Sequence, residues 1–404
     1  MKITIITHYF PPEVGAPQAR LSEMALEWSK LGHDVTILTC FPNHPNGVIH
    51  KDYRGKRFLI EKNDHYKVVR TWVYATPNKG FIKKILGHLS FMFSCVLQGR
   101  KHVKGSDIII ASSPTFFCVI SAYFLSKCYK IPYIFEVRDL WPAIFKDLGI
   151  LKNNFILSIL ETIELFLYKN AKYVVTVTDR FTKNICERGI EKDKVFTITN
   201  GVDLNRFFPI EKNQDLIKEL KLSNKFIVLY IGAHGVSQGL NTIIDAAHFL
   251  SGYPDIHFLF VGEGADKESI INKSKELNLH NTTFLGNQPK EKVASFYSIM
   301  DVGLIPLKNI SLFETFIPSK MFEMLAMKKP IIASVLGESK DILTKSKAAI
   351  TCFPENVSEI SEAIINLYNN KNLQKELSDS GFLFVSENYN RKILAQNYLN
   401  KIKL

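Results

Sequence analysis

The chain has 404 residues, 46% of them hydrophobic, and 51 Lys and Arg against 39 Asp and Glu give a formal net charge of +12. This length exceeds one ordinary core and predicts two domains of roughly 200 residues, and the apolar fraction is that of a globular chain, not a disordered one. The positive balance implies an anionic partner, which charge alone leaves open among nucleic acid, acidic lipid and a phosphorylated substrate.

The apolar part of the N-terminus, Met1 to His8, is too short for a signal peptide and reads as a first strand. A loop follows, Pro11-Pro12-Glu13-Val14-Gly15-Ala16-Pro17, with Arg20 opening a helix. This is where a doubly wound domain touches a diphosphate or an acceptor, although Arg20 also fits a solvated helix position. Leu21, Met24, Trp28 and Leu31 recur at helical spacing, with Gly32 placed as a C-terminal cap.

Strands are expected at 3–7, 35–39, 68–72, 108–111, 133–137, 173–177 and 195–198, mostly alternating with helices, the pattern of a parallel doubly wound sheet. Between 79 and 104, Lys83, Lys84, Arg100 and Lys101 flank the apolar run Phe81, Ile82, Ile85, Leu86, Leu89, Phe91, Met92 and Phe93. That composition suits an anionic membrane surface and equally a core helix with solvated ends. The longest apolar stretches, 85–97 and 114–125, fall short of the ~18–20 residues that span a bilayer, so no transmembrane helix is expected.

Glu136-Val137-Arg138-Asp139-Leu140-Trp141-Pro142 ends a strand, where a carboxylate can accept a proton or orient a hydroxyl. Asp139 is the first choice; Glu136 falls within the strand and fits pairing with a neighbouring base, and Asp139 also fits a turn-capping role. Asn200-Gly201-Val202-Asp203 closes the first half, and the polar segment 203–225 reads as the interdomain connection.

The pattern then restarts, with strands at 226–231, 256–261, 283–285, 302–306 and 331–334 and helices at 240–250, 266–277, 290–298 and 319–327. Two Rossmann-like domains follow, with a ligand between them at the carboxyl ends of the strands. A last helix, 394–402, has no strand partner and either returns to the first domain or ends free.

Glycine-rich Gly232-Ala233-His234-Gly235-Val236-Ser237-Gln238-Gly239 joins a strand to a helix, so its backbone can approach a phosphate; a simple turn has the same composition. Val261-Gly262-Glu263-Gly264 ends the next strand in the same way. Thr315-Phe316-Ile317-Pro318-Ser319-Lys320-Met321-Phe322-Glu323 puts a hydroxyl and an ammonium at a helix start, with Glu323 about one and a half turns on, where it can receive ribose hydroxyls. An ordinary capped core helix is the alternative. His8 and His234 stand at strand ends.

The six cysteines are scattered with no Cys-x-x-Cys pair, which favours reduced core thiols in a reducing compartment. No Asp-x-Asp and no metal-ligand spacing occurs, so no metal is expected, and no nucleic-acid reader motif is present.

Together these motifs resemble glycosyltransferase family 4, the retaining nucleotide-sugar enzymes of GT-B fold, over essentially the whole chain. Asp139-Leu140-Trp141-Pro142, Gln238-Gly239-Leu240 and Pro318-Ser319-Lys320 are similar to a bacterial branch that includes N-acetyl-L-fucosamine transferases of surface polysaccharide synthesis. The resemblance implies an acceptor-binding domain at 1–204 and a nucleotide-sugar domain at 205–382, facing across a cleft, with a tail at 383–404. It implies donor contacts at Gly15, Asn200, Gly232, His234, Gly235, Gln238, Gly239, Gly262, Glu263, Gly264, Pro318, Ser319, Lys320 and Glu323. Asp139, Arg138 and Lys320 are then catalytic, and Arg20, Glu136 and Trp141 bind the acceptor.

The chain departs from the family pattern at Thr315, where the first Glu of Glu-x7-Glu belongs, and at Ala233 and Gln238, where an arginine and a lysine bind diphosphate. Arg138 stands where an active-site histidine is common. Lys320 and Arg20 then have to supply the missing positive charge. The implied reaction moves an N-acetylated amino sugar from a UDP-sugar to a polyprenyl-diphosphate-linked saccharide, with no cofactor, at the inner face of the cytoplasmic membrane. A nucleotide-sugar 2-epimerase shares the fold, and a non-catalytic nucleotide-sugar-binding protein is the rival from another class.

Overall fold

The computed structural model describes the chain except residues 14, 45, 78–80, 114–115, 148–150, 152 and 403–404, and except the side chains of 16, 81, 82, 145, 147 and 312. Val14 of the early loop, Lys79, Pro114, and the side chains of Phe81 and Ile82 therefore lie outside the described residues. The chain forms two compact units, Met1–Thr199 with Lys392–Leu404, and Asn200–Arg391.

The first unit runs β1 (Lys2–Ile6), α1 (Ala16–Lys30), β2 (Asp34–Cys40), β3 (Phe58–Lys62), β4 (Tyr66–Thr71), α2 (Phe81–Val103), β5 (Ile108–Ser112) and α3 (Phe116–Tyr129). It continues through β6 (Tyr133–Val137), α4 (Ala143–Asp147), α5 (Asn154–Asn170), β7 (Tyr173–Thr176), α6 (Asp179–Glu187) and β8 (Val195–Thr197). Its eight strands lie in the order β3-β4-β2-β1-β5-β6-β7-β8, all parallel except the edge strand β3, which pairs antiparallel with β4. Strand β3 alternates exposed with half-buried residues, as an edge strand does, and the sequence reading had no element there. The β-branched central strands are buried on both faces, which is why they read as continuous apolar runs.

The second unit runs α7 (Gln214–Glu219), β9 (Phe226–Ile231), α8 (Leu240–Phe249), β10 (Ile256–Val261), α9 (Lys267–Glu276), β11 (Thr282–Leu285), α10 (Val293–Ile299) and β12 (Val302–Pro306). It ends with α11 (Lys320–Ala326), β13 (Ile331–Ser334), α12 (Gly337–Ser346), β14 (Ala349–Cys352), α13 (Val357–Asn369) and α14 (Lys371–Asn388). Its six strands are all parallel, in the order β11-β10-β9-β12-β13-β14. Strand order reverses beside β9, so the loops after β9 and β12 flank the position where open α/β sheets bind ligands.

One expectation changes. The segment 203–225 is not a free linker: Phe207, Ile217 and Leu222 are buried in the second unit's core. The second unit's ends are tied together by Val202 N donating to Tyr389 O (2.9 Å) and Arg391 N to Val202 O (2.9 Å). The last helix, α15 (Arg391–Lys401), lays Leu394, Ala395, Tyr398 and Leu399 into the core around Trp28, whose Nε1 donates to Ala395 O at 2.9 Å.

Candidate functional site

In the second unit, β9 delivers two residues of the site from one strand end. Tyr230 is fully buried, and two residues later Gly232 turns the chain with φ +140°, a conformation that favours glycine. The neighbouring strand does the same at Gly262, φ +143°. The two turns lie backbone against backbone: Gly232 N donates to Val261 O and His234 N to Glu263 O, both at 2.9 Å. A Cβ on Gly262 would stand 1.9 Å from Gly232 O, and one on Gly264 2.3 Å from His234 O. Both glycines are therefore required by the contact between the loops.

Lys320, first residue of α11, reaches this turn. Its Nζ stands 4.0 Å from the centroid of the Tyr230 ring and 3.0 Å from where a Gly232 Cβ would be. A desolvated ammonium over an aromatic face gains about 2 kcal/mol. The Tyr230 hydroxyl donates to Ala233 O at 2.6 Å, with Gln238 Oε1 3.3 Å off. Burial of the ammonium lowers the Lys320 pKa to about 7, a shift that the Glu323 carboxylate opposes without cancelling. Glu323 in turn accepts a 2.8 Å hydrogen bond from the buried Tyr297 hydroxyl, so one of its oxygens is engaged within the protein.

Among the other donor-site expectations, His234 is buried beside Tyr230, and burial together with Lys267 holds its pKa near 4, a neutral imidazole at pH 7. Glu263 pairs with Lys267 at 2.6 Å. Gly239 adopts a left-handed φ of +59° at the start of α8, and Gly235 precedes a short 3-10 turn. Pro318 and Ser319 lead into α11, where Met321 N donates to Pro318 O; Ser319 makes no side-chain cap. Asn200 opens the second unit.

In the first unit the acceptor roles expected of Arg20 and Glu136 give way to a structural one. Both side chains are at most 1% exposed and pair at 3.3 Å, Arg20 donates to Thr199 O (2.7 Å) and Ile198 O (2.9 Å), and Ser112 Oγ donates to Glu136 at 3.0 Å. The pair fixes the chain where it leaves β8. Arg20 therefore adds no charge for a ligand. Gly15 is extended, φ 166°, and precedes α1.

After β6, Arg138 N donates to Ser113 Oγ at 2.8 Å, and Asp139 is half-buried, with its carboxyl pKa raised by burial against the opposing pull of Arg138. A raised carboxyl is suited to proton exchange. Trp141 stacks on Phe116, centroids 6.4 Å apart, and lines a 300 Å³ cavity with Asn154, Asn184 and Arg188.

Tyr230 and Tyr297 were missed because isolated tyrosines in apolar runs read as core. The signal available for Tyr230 is its i, i+2 relation to Gly232, which puts it at the same strand end.

Two Rossmann-like α/β units of mostly parallel strands, the second with a ligand-binding switch point, are the architecture of the GT-B fold. Residues 18–206 match the family described as Glycosyltransferase Family 4, and 211–383 match Glycosyl transferases group 1. The chain is a glycosyltransferase of this group 1 and family 4 type, in the GT-B superfamily. It is 26% identical over 336 residues, 81% of each chain, to WcaI of Escherichia coli (strain K12), named as a colanic acid biosynthesis glycosyl transferase. Sucrose-phosphate synthase from Thermosynechococcus elongatus superposes with TM-score 0.76 over 99% of this chain and 97% of its own, at 18% identity. Anabaena Alr3699/HepE, solved in complex with UDP-glucose, gives TM-score 0.73 over 99% and 98%, at 14% identity. No helix among the described residues is long and apolar enough to cross a membrane.

Proposed function

We propose that this glycosyltransferase moves an N-acetylated hexosamine or deoxyhexosamine from a UDP-sugar to a polyprenyl-diphosphate-linked saccharide, with retention and without a metal ion, in bacterial surface polysaccharide synthesis. The observation that carries the reading is the Lys320 ammonium held beneath Gly232 at the switch point of the second sheet. As the sugar leaves, negative charge grows on the UDP diphosphate, and a preorganised ammonium with the adjacent turn N–H groups meets it. Lys320 also takes over the role of the family's arginine and lysine, whose positions hold Ala233 and Gln238.

Glu323, held by the Tyr297 hydroxyl, is the carboxylate placed to receive ribose hydroxyls. Asp139 and Arg138 position the acceptor hydroxyl, and Trp141 offers an apolar face to the acceptor saccharide. The likeness to a protein named for colanic acid biosynthesis supports the polysaccharide setting, and the UDP-glucose complex of a structural neighbour supports the donor class. The enzyme works at the inner face of the cytoplasmic membrane, held there peripherally.

The test is purified enzyme with a panel of UDP- and GDP-sugars and a polyprenyl-diphosphate-linked acceptor. Transfer from a UDP-amino sugar, lost in Lys320→Met, is the expected result. Conversion of donor without acceptor identifies an epimerase, and donor binding with no turnover on any acceptor identifies a binding protein.

A further inference from the structure

A cavity of 160 Å³ opens in the first unit at the carboxyl ends of β1, β2 and β4, and the first turns of α2 close it. Its chemistry is one-sided: His8 and Tyr9 come from the loop after β1, His44 from the loop after β2, and Lys83, Lys84 and His88 from α2, and no carboxylate is among the described residues that line it. The His8 and His88 rings stand 4.6 Å apart, edge to face, and His44 packs on Tyr9 at 5.2 Å. His8 is only 4% exposed, yet Nδ1 of His8 and Nδ1 of His88 are both buried with no hydrogen-bond partner among the described residues. Buried ring nitrogens without partners are rare and point to a ligand that supplies them. Two exposed lysines at the rim, the buried His8, the half-buried His88 and the exposed His44 form a donor set for a group bearing more than one negative charge. The volume lies below the ~300 Å³ at which drug-sized pockets begin, so a phosphate or diphosphate fits and a nucleotide does not.

We infer that this cavity holds the phosphate or diphosphate through which the acceptor saccharide is joined to its lipid, an assignment that rests on the glycosyltransferase reading above and gives the acceptor an anchor other than Arg20 and Glu136. The state of the imidazoles agrees with it. Burial, with Lys84 adding to it, lowers His88 to about 4 and lowers His44, while burial, His88 and His44 lower His8, so all three are neutral at pH 7 in the unliganded chain. The other groups facing them are Tyr9, raised by burial, Tyr74, and Glu13, whose carboxylate accepts from the His44 and Asn43 N–H groups at 2.8 and 2.7 Å; Phe117 of α3 stacks on His88 without charge. An anion in the cavity opposes the burial and the Lys84 charge that keep His44 and His88 neutral, and draws their pKa values up.

The experiment uses the full chain with isotope-labelled histidines, titrated with inorganic pyrophosphate and separately with UDP, then assayed with the lipid-linked acceptor. Pyrophosphate is expected to shift the His44 and His88 resonances and raise their titration midpoints, and Lys84→Gln to weaken that binding about tenfold or more, the loss of one charge-assisted contact. In turnover, Lys84→Gln is expected to raise the acceptor KM by a similar factor with kcat and donor KM little changed. Histidine resonances indifferent to pyrophosphate, or perturbed by UDP alone, overturn the assignment. Transfer to the lipid-diphosphate acceptor with an unchanged KM in Lys84→Gln overturns it while leaving the proposed function intact. Pyrophosphate binding at His88 with no turnover on any such acceptor removes the proposed function and the acceptor identity, leaving an anion site.

Discussion

Lys320 is asked to be charged for its ligand and is placed where charge is costly. Its folded pKa of about 7 lies below its ordinary 10.5. Between those values the unfolded chain holds a proton that the folded chain lacks, so the residue's contribution to stability improves as pH rises through the window and is most unfavourable below pH 7, at about 1.4 kcal/mol per unit of lowering. Lys320→Met keeps the stem and removes the charge. Its melting temperature is expected to exceed the wild type's at pH 6, with the gain fading toward pH 10, while kcat/KM falls by ~100-fold or more. Affinity for UDP-N-acetylglucosamine, measured calorimetrically in the wild type, should fall by up to about tenfold per unit above pH 7, because the proton must then be taken up on binding. A pH-independent affinity would sink the assignment of Lys320 to the diphosphate. Gly232→Ala tests the same contact from the other side: its Cβ would displace the ammonium and its φ of +140° disfavours alanine, so kcat/KM and stability should both fall.

At the scale of elements, the loops after β9 and β10 are one object. Gly262→Ala drives a methyl into Gly232 O and requires a left-side φ that only glycine adopts readily, so it should destabilise the second unit by roughly 2 kcal/mol or more and abolish donor binding. The Arg20–Glu136 pair behaves oppositely, being buried in the first unit with no ligand-facing surface. Glu136→Ala leaves a buried guanidinium unpaired and should cost ~3–5 kcal/mol, read as a lower melting temperature, with acceptor KM unchanged in the folded fraction. Much of this architecture was legible: the parallel strands declared themselves as β-branched runs, and the glycine turns by position after them. What was hidden depended on tertiary neighbours. The half-polar edge strand β3 and the short β14 carry little periodicity, and Phe207, Ile217 and Leu222 are too sparse in a lysine-rich segment to announce burial. Arg20 and Glu136, 116 positions apart, look like site residues until their mutual 3.3 Å contact is seen. The reverse held for His44, His88 and Lys84, ordinary singly and distinctive only where the loop after β2 meets the first turns of α2.

For the whole molecule, the +12 charge must be reconciled with apolar side chains left on the first unit's surface. Helix α3 packs against both α2 and α5, so the three form one layer. On α2, Leu86, Phe93 and Leu97 are 46%, 60% and 69% exposed; α3 adds Phe124 and α5 adds Phe155 (74%), Ile159 and Phe166. Lys83 and Lys84 stand at one end of α2, Arg100 and Lys101 at the other, and Lys127 on α3. Aromatic and aliphatic residues on a helical layer flanked by lysines suit the interface of an anionic bilayer, where apolar burial and attraction to acidic headgroups add. The same α2 carries Lys83, Lys84 and His88 into the cavity, so a lipid-linked diphosphate could be met by one helix while its tail stays in the membrane. The expected outcome is co-flotation of the protein with vesicles containing phosphatidylglycerol but not with pure phosphatidylcholine, weakening as salt rises. Phe93→Ser with Leu97→Ser should weaken flotation by about tenfold or more, since each side chain contributes ~1.5–3 kcal/mol of burial at most, and leave the melting temperature unchanged because both are already exposed. Equal flotation on neutral and anionic vesicles would remove the charge half of this reasoning, and undiminished flotation of the double variant would remove the apolar half.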